Sequence, residues 1–139
     1  MDPNDSAGPA LERVLALMDA RYAERLDLET LCREAHFSRH HFIRTFRSRL
    51  FETPHQYLIR KRIDRARELL ATTDRSVTEV CFEVGFESLG SFSSLFRRLV
   101  GWPPSVYRAR SLAQRLSPRT YIPGCCWTMF GLGGERPAD

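Results

Sequence analysis

The 139 residues allow one domain of ordinary size, and 42% apolar content supplies a real if small core, so a large ligand-binding domain beside it within these residues is not expected. The net charge is +4, yet between residues 39 and 67 nine Arg or Lys face only Glu52 and Asp64, so that stretch carries +7 and the rest of the chain −3. Charge so concentrated points to nucleic acid or an anionic membrane surface; no apolar run is long enough to span a membrane, and the acidic, polar start is unlike a secretion signal, so a cytoplasmic location is expected.

Residues 1–9 read as a disordered lead. A first helix is expected over residues 10–23, with Leu11, Val14, Leu15, Met18 and Tyr22 on one stripe. Residues 28–35 and 38–49 then read as two short helices meeting across His36 and Phe37, with Leu28, Leu31 and Cys32 facing Phe37, Phe42 and Phe46, which is helix-turn-helix patterning. Ser38 caps the second of them. Thr53 followed by Pro54 opens a long helix to about Ala71, since Thr is a competent cap and Pro is tolerated at the first helical position. Tyr57, Leu58, Ile63, Ala66, Leu69 and Leu70 form its buried side. A continuous helix of roughly 17 residues, at about 1.5 Å each, would hold what precedes and follows it some 25 Å apart. After Thr72, Thr73 and Asp74, Ser76 caps a helix over residues 77–84, Gly85 permits a turn, and Ser88 caps a helix over residues 89–100. Gly101, Trp102, Pro103 and Pro104 end it, and a last helix covers residues 105–115. Beyond Leu116 helical periodicity stops. The fold class is therefore all-α, seven helices in two helix-turn-helix subdomains joined by a long linker helix, followed by a short irregular C-terminal tail.

The helix after Ser38 carries four arginines and two histidines with no acid, and it buries Phe42, Phe46 and Leu50 at i, i+4 and i+8. Arg39, His40, Ile43, Arg44 and Arg47 then point the other way. A charged outer face is ordinarily just solvated, and a membrane surface would need exposed apolar bulk beside the charge. A repeat decides in favour of a working surface. Cys32 and Phe37 recur as Cys81 and Phe86 at an offset of 49, and Phe42, Phe46, Pro54 and Tyr57 recur as Phe92, Phe96, Pro104 and Tyr107 at an offset of 50. One unit is used twice, with a single insertion between Phe86 and Phe92, where a turn accepts it.

These residues resemble the DNA-binding module of the AraC/XylS family of bacterial transcription regulators. The likeness covers about residues 10–110 and rests on Val80, Gly85, Phe86, Ser88, Phe92, Phe96, Gly101, Pro104, Tyr107 and Arg108, together with the run from Tyr57 to Leu70. It implies a first lobe at about residues 10–53, a linker helix at 54–71, a second lobe at 72–110 and a tail at 111–139. Each lobe would place one recognition helix in successive major grooves on one face of double-stranded DNA. By position the family's base-reading places fall on His40, Ile43, Arg44 and Arg47. Arg44 is the residue expected to hold a guanine edge, His40 can donate or accept, Ile43 suits a thymine methyl, and Arg39 and Arg47 suit phosphates. The equivalent residues of the second helix are Gly90, Ser93, Ser94 and Arg97, and Ser94 stands where the family often has Arg. That lobe is therefore expected to anchor more than to read, with Arg97 and Arg98 at the backbone. Two reading heads in one chain imply a monomer on an asymmetric site. The resemblance further implies transcriptional activation through RNA polymerase, in the bacterial nucleoid.

Other classes carry less. Cys32 and Cys81 hold equivalent places on the apolar side of a helix, where Cys serves as a small hydrophobe, and adjacent Cys125 and Cys126 lack CxxC spacing, so neither a metal nor any other cofactor is expected. An enzyme using Cys125 or Cys126 as nucleophile would need a base and an oxyanion site that the tail does not supply, so catalysis is not expected. The alternative is a protein-interaction or anti-regulator module whose aromatic tail, residues 121–130, binds a partner.

Overall fold

The computed structural model describes residues 7–116. Among them are seven helices and no strand: α1 (Ala7–Ala20), α2 (Leu28–Ala35), α3 (Arg39–Leu50), α4 (Pro54–Thr72), α5 (Val77–Glu83), α6 (Leu89–Val100) and α7 (Pro104–Leu116). The all-α class and both helix-turn-helix pairs are as the sequence predicts, and the helices α2 to α7 match to within a residue or so at each end. The irregular tail, and the roles weighed for it, lie outside the described residues. Helix α1 differs: it begins at Ala7, inside the lead expected to be disordered, and ends at Ala20 rather than residue 23. Pro9 falls in its first turn, where a missing N–H costs nothing. At the other end Arg21 N–H still reaches Leu17 O, but Glu24 N–H turns back to Arg21 O at 3.0 Å and the two side chains pair at 2.8 Å, closing a turn.

The chain divides into two units, Met1–Arg62 and Ile63–Asp139, and the boundary falls inside α4. That helix therefore lends one part to each core. In the first unit Tyr57 and Leu58 join Leu11, Val14, Met18, Leu31, Cys32, Phe42 and Phe46. In the second, Ile63, Ala66, Leu69 and Leu70 are buried, as are Val80, Cys81, Val84, Phe86, Phe92 and Phe96. The six residues predicted as the buried side of α4 are all buried. Each unit carries the same aromatic ladder: Phe42, Phe46 and Tyr57 at centroid spacings of 5.7 and 5.8 Å, and Phe92, Phe96 and Tyr107 at 5.6 and 5.5 Å. Tilted and edge contacts of this kind add about 0.5 to 1.5 kcal/mol per pair beyond burial.

Helix ends explain the remaining geometry. Thr53 Oγ1 accepts from Gln56 N–H at 3.1 Å while Gln56 Oε1 accepts from Thr53 N–H at 2.9 Å, and Ser76 with Glu79 repeats this reciprocal cap at α5. At the end of α4, Arg108 of α7 donates to the carbonyl of Leu70 and Arg115 to that of Ala71, and Arg108 also reaches the Thr73 and Arg75 carbonyls in the loop that follows. The orphan carbonyls of one helix thus position another.

The turns of the two helix pairs are built alike. Phe37 N–H reaches Cys32 O and His36 N–H reaches Arg33 O, at 3.1 and 3.2 Å; Phe86 N–H reaches Cys81 O and Gly85 N–H reaches Phe82 O, both at 3.1 Å. This double closure needs a left-handed residue, which is His36 (φ 58°) in the first unit and Gly85 (φ 101°) in the second. The caps Ser38 and Ser88 then differ by the full 50, so the inserted residue is Glu87. A second pair of left-handed positions closes α3 and α6, Phe51 at φ 58° and Gly101 at φ 100°.

A non-glycine residue held left-handed is strained by about 1 to 2 kcal/mol, less what glycine loses in the unfolded chain. Phe51 is 91% exposed, and a Cβ on Gly101 would meet nothing within 4 Å, so at both places the backbone alone sets the outcome. Gly101→Ala should destabilise by about 1 kcal/mol and Phe51→Gly should stabilise by up to about 1 kcal/mol. Urea unfolding of both variants checks the pair, and a loss of stability in Phe51→Gly would show that its ring makes a contact the fold needs.

Candidate nucleic-acid interface

Each candidate reading helix is set by a serine cap and two phenylalanines. Ser38 Oγ accepts from His41 N–H and Ser88 Oγ from Ser91 N–H, both at 3.2 Å, which fixes where α3 and α6 begin. Phe42 and Phe46, and likewise Phe92 and Phe96, are wholly buried one turn apart, which fixes how each helix is rotated. The pattern of burial from His41 to Leu50 recurs position by position from Ser91 to Val100. Two surfaces of equal shape therefore carry unequal chemistry.

On α3 the structure exposes Arg39, His40, Arg44 and Arg47 together. Ile43 is half-buried and packs against the core of the first unit, so only part of its side chain is turned outward, less than the sequence pattern implied. On α6 the exposed set is Gly90, Ser94, Arg97 and Arg98, and Ser93 is half-buried at the place of Ile43. A Cβ on Gly90 would lie 3.8 Å from Ser88 Oγ, an ordinary contact, so nothing inside the protein demands glycine there. Exposure also adds Arg49, which the sequence reading passed over. It sits beside α1, where a Cβ on Gly8 would come within 3.9 Å of its Nη1, and is turned away from Arg44 and Arg47.

The basic stretch is sharper than its charge count. Of its nine cations, Arg60 pairs with Glu52 at 2.6 Å, Lys61 with Asp19 at 3.2 Å, Arg65 with Glu68 at 2.9 Å and Arg67 with Asp64 at 3.6 Å. Arg62 donates to the carbonyls of Tyr22 and Glu24 at 2.6 and 2.9 Å. Arg67 is moreover buried, its guanidinium 5.7 Å from the Tyr107 ring. Those five serve the fold, Arg49 also has a partner in the protein, and the three that remain, Arg39, Arg44 and Arg47, all lie on α3. Neither Arg44 nor Arg47 on α3, nor Arg97 or Arg98 on α6, has an ion pair or hydrogen bond to its side chain among the described residues. Charge counting could not see this division, because partners such as Asp19 and the Tyr22 carbonyl lie some forty residues away in sequence.

Neither thiol is poised for chemistry. Burial pushes the Cys32 thiol above its ordinary value, with the Arg39 charge pulling partly back, and burial alone pushes up Cys81. Both are free and buried. Among the described residues no group of three or more His, Cys, Asp or Glu is placed to hold a metal ion, and no helix is long and apolar enough to cross a membrane.

Comparison with known proteins agrees with this geometry. A family model described as a helix-turn-helix domain matches residues 31–110. The HTH-type transcriptional regulator GbdR of Pseudomonas aeruginosa is 38% identical over 96 residues, covering 69% of this chain and 26% of GbdR. The HTH-type transcriptional activator RhaS of Enterobacter sp. strain 638 is 35% identical over 98 residues, covering 70% of this chain and 35% of RhaS. The chain thus spans about a quarter to a third of the length of these relatives. Among solved structures, the DNA-binding domain of the global transcriptional factor AdpA, in complex with a target DNA, superposes with a TM-score of 0.73 at 40% identity, over 78% of this chain and 97% of that one. An AraC-type regulator from Chromobacterium violaceum superposes with a TM-score of 0.70 at 31% identity, over 75% of this chain and 93% of that one.

Because Cys32 and Cys81 fill the same place in two cores, Cys32→Ala and Cys81→Ala should each cost about 1 kcal/mol, the scale of deleting one buried methyl-sized group, and leave the outward faces of α3 and α6 unchanged. Thermal unfolding with metal analysis of the purified protein tests this. Loss of a stoichiometric metal on substitution would mean that the thiols are ligands instead.

Proposed function

Since the chain belongs to the AraC-type helix-turn-helix family of transcription regulators, we propose that it binds double-stranded DNA with α3 as the principal reader and α6 as an anchor. The observation that carries this reading is the division of the arginines: those of the stretch beyond α3 are spent on carboxylates and carbonyls of the protein, whereas Arg44, Arg47, Arg97 and Arg98 meet none among the described residues. Arg44 takes both acceptors of a guanine edge, His40 a neighbouring base edge, and the exposed part of Ile43 a thymine methyl. Arg39 and Arg47 take phosphates. On α6, Ser93 and Ser94 form hydrogen bonds that discriminate little, Gly90 leaves the groove side of the helix bare, and Arg97 and Arg98 neutralise phosphate.

With a reading helix in each unit, residues 10–110 act as one module that engages an asymmetric site as a monomer, α3 and α6 entering successive major grooves. The AdpA domain was solved on its target DNA and RhaS is named as an activator. By likeness to them the chain acts on transcription in the bacterial cytoplasm, with activation through RNA polymerase as its direction.

Binding should weaken steeply with salt, with a log-log slope of roughly −5 to −9 for about six to ten neutralised phosphates. A flat response would contradict a phosphate-held complex. Arg44→Ala should cost about 1 to 3 kcal/mol on the preferred site and relax the choice at one or two base pairs, while Ser94→Ala changes little. Titration of both variants on the selected site and on random duplex separates the possibilities. If Arg44 touches only phosphate, every duplex weakens by a similar factor and the salt slope falls by about one. A larger loss of specificity from Ser94→Ala would overturn the assignment of α3.

A further inference from the structure

The residue that ends α3 is at odds with its surroundings in two independent ways. Phe51 is 91% exposed, the most exposed of the large apolar side chains among the described residues, and its backbone is held left-handed at φ 58°. A single apolar side chain on a surface is ordinary. One that is also held in a strained conformation is not, because the fold gains little from so exposed a ring and glycine would relieve the strain. The second unit shows that relief, since the same place at the end of α6 is Gly101, at φ 100°.

What the ring meets follows from where it stands. Phe51 N–H still donates to Arg47 O at 2.9 Å, so its Cα lies where the next residue of α3 would. At 100° per residue, His40, Arg44, Arg47 and position 51 share one arc of about 60°, and the buried Phe42 and Phe46 lie on the opposite side. Position 51 therefore extends the stripe that carries the exposed His40, Arg44 and Arg47. Charge agrees with this placement. Helix α3 holds no acid, and the carboxylate next to the ring, Glu52, is engaged by Arg60 at 2.6 Å, which offsets its repulsion of a phosphate chain. A protein partner would want a broader apolar patch, whereas the exposed neighbours of Phe51 in sequence are Arg47, Ser48, Arg49 and His55.

A straight helix follows a curved groove over only part of its length. The twelve residues of α3 span about 18 Å, against a major groove about 12 Å wide and about 8.5 Å deep. With Arg44 at a base edge, position 51 lies some 10 Å further along and rises to the groove wall, which is sugar and phosphate. Phosphate suits Arg47; the apolar surface offered there is the C–H edge of deoxyribose. We propose that Phe51 is a further DNA contact of α3, its ring packed on deoxyribose beside the phosphate that Arg47 takes. The contact rests on α3 lying in a major groove, and it adds to binding an apolar component that is indifferent to base sequence.

Titration of the full chain and of its Phe51→Gly, Phe51→Ala and Phe51→Tyr variants, on the selected site and on random duplex over a range of salt, tests the contact. Phe51→Gly and Phe51→Ala should each weaken binding to both duplexes about tenfold, the scale of losing part of a phenyl ring's burial, with the salt slope unchanged because no phosphate contact is lost. Phe51→Tyr keeps the ring and should bind within about twofold of the unaltered chain. Urea unfolding separates this from damage to the fold, since Phe51→Gly should be more stable than the unaltered chain while binding less well. Unchanged affinity in Phe51→Ala, whatever Phe51→Gly does, would overturn the proposal. A loss confined to the selected site would overturn it too, by placing the ring on a base, as would a salt slope lowered by about one, the mark of a displaced Arg47. Absence of salt-dependent binding by the unaltered chain would remove α3 from the groove and this contact with it, a failure seen before any variant is measured.

Discussion

Two phenylalanines one turn apart, wholly buried in each unit, determine which side of α3 and of α6 meets water. Rotating α3 by one residue position would bring an arginine or a hydroxyl into a core that has no partner for it, at a cost of several kcal/mol. Burying Phe42 and Phe46 contributes roughly 1.5 to 3 kcal/mol each in the opposite sense. The tyrosine of the following helix locks the arrangement, as Tyr57 meets Phe46 edge-on at 83° and Tyr107 meets Phe96 at 70°. The Tyr57 hydroxyl donates to Asp19 at 2.8 Å, and burial together with this carboxylate pushes the Tyr57 pKa far up, so the tyrosine keeps its proton. Everything presented to a ligand follows from that rotation.

The two units share this frame and differ in what they place on it. Burial along α3 and α6 is the same position by position, yet α3 offers four arginines and two histidines where α6 offers two arginines, serines and a glycine. Duplication with one residue inserted in a turn preserves the geometry and frees the outward positions to diverge. The left-handed turn positions diverged too. Glycine at 85 and 101 relieves strain in the second unit, while His36 and Phe51 sustain it in the first.

Much of this architecture is legible in the sequence because it repeats. The spacing of Phe42, Phe46 and Tyr57 against Phe92, Phe96 and Tyr107 is enough to place the reading helices, their serine caps and the buried side of α4. The start of α1 was not legible, since residues 1–9 read as a disordered lead by composition, whereas Gly8 and Pro9 fall in the first turn of the helix, where Pro is tolerated. Nor was the division of labour among the arginines. Arg60, Arg62 and Arg67 look like part of one basic patch until the structure brings Glu52, the Tyr22 and Glu24 carbonyls and Tyr107 to them. Local periodicity predicts which side of a helix is outward; it carries no information on pairs made across the fold. The half-burial of Ile43 belongs to the same class, because it depends on what the rest of the first unit brings against α3.

Inequality of the two reading helices is the central claim, and it is tested most directly by selecting bound sequences from a random duplex pool with the full chain and footprinting the selected sites. A single block of strongly specified base pairs protected beneath α3, with protection but weak base preference beneath α6, is the expected result. Two blocks specified equally, or strong preference confined to the DNA beneath α6, would contradict it.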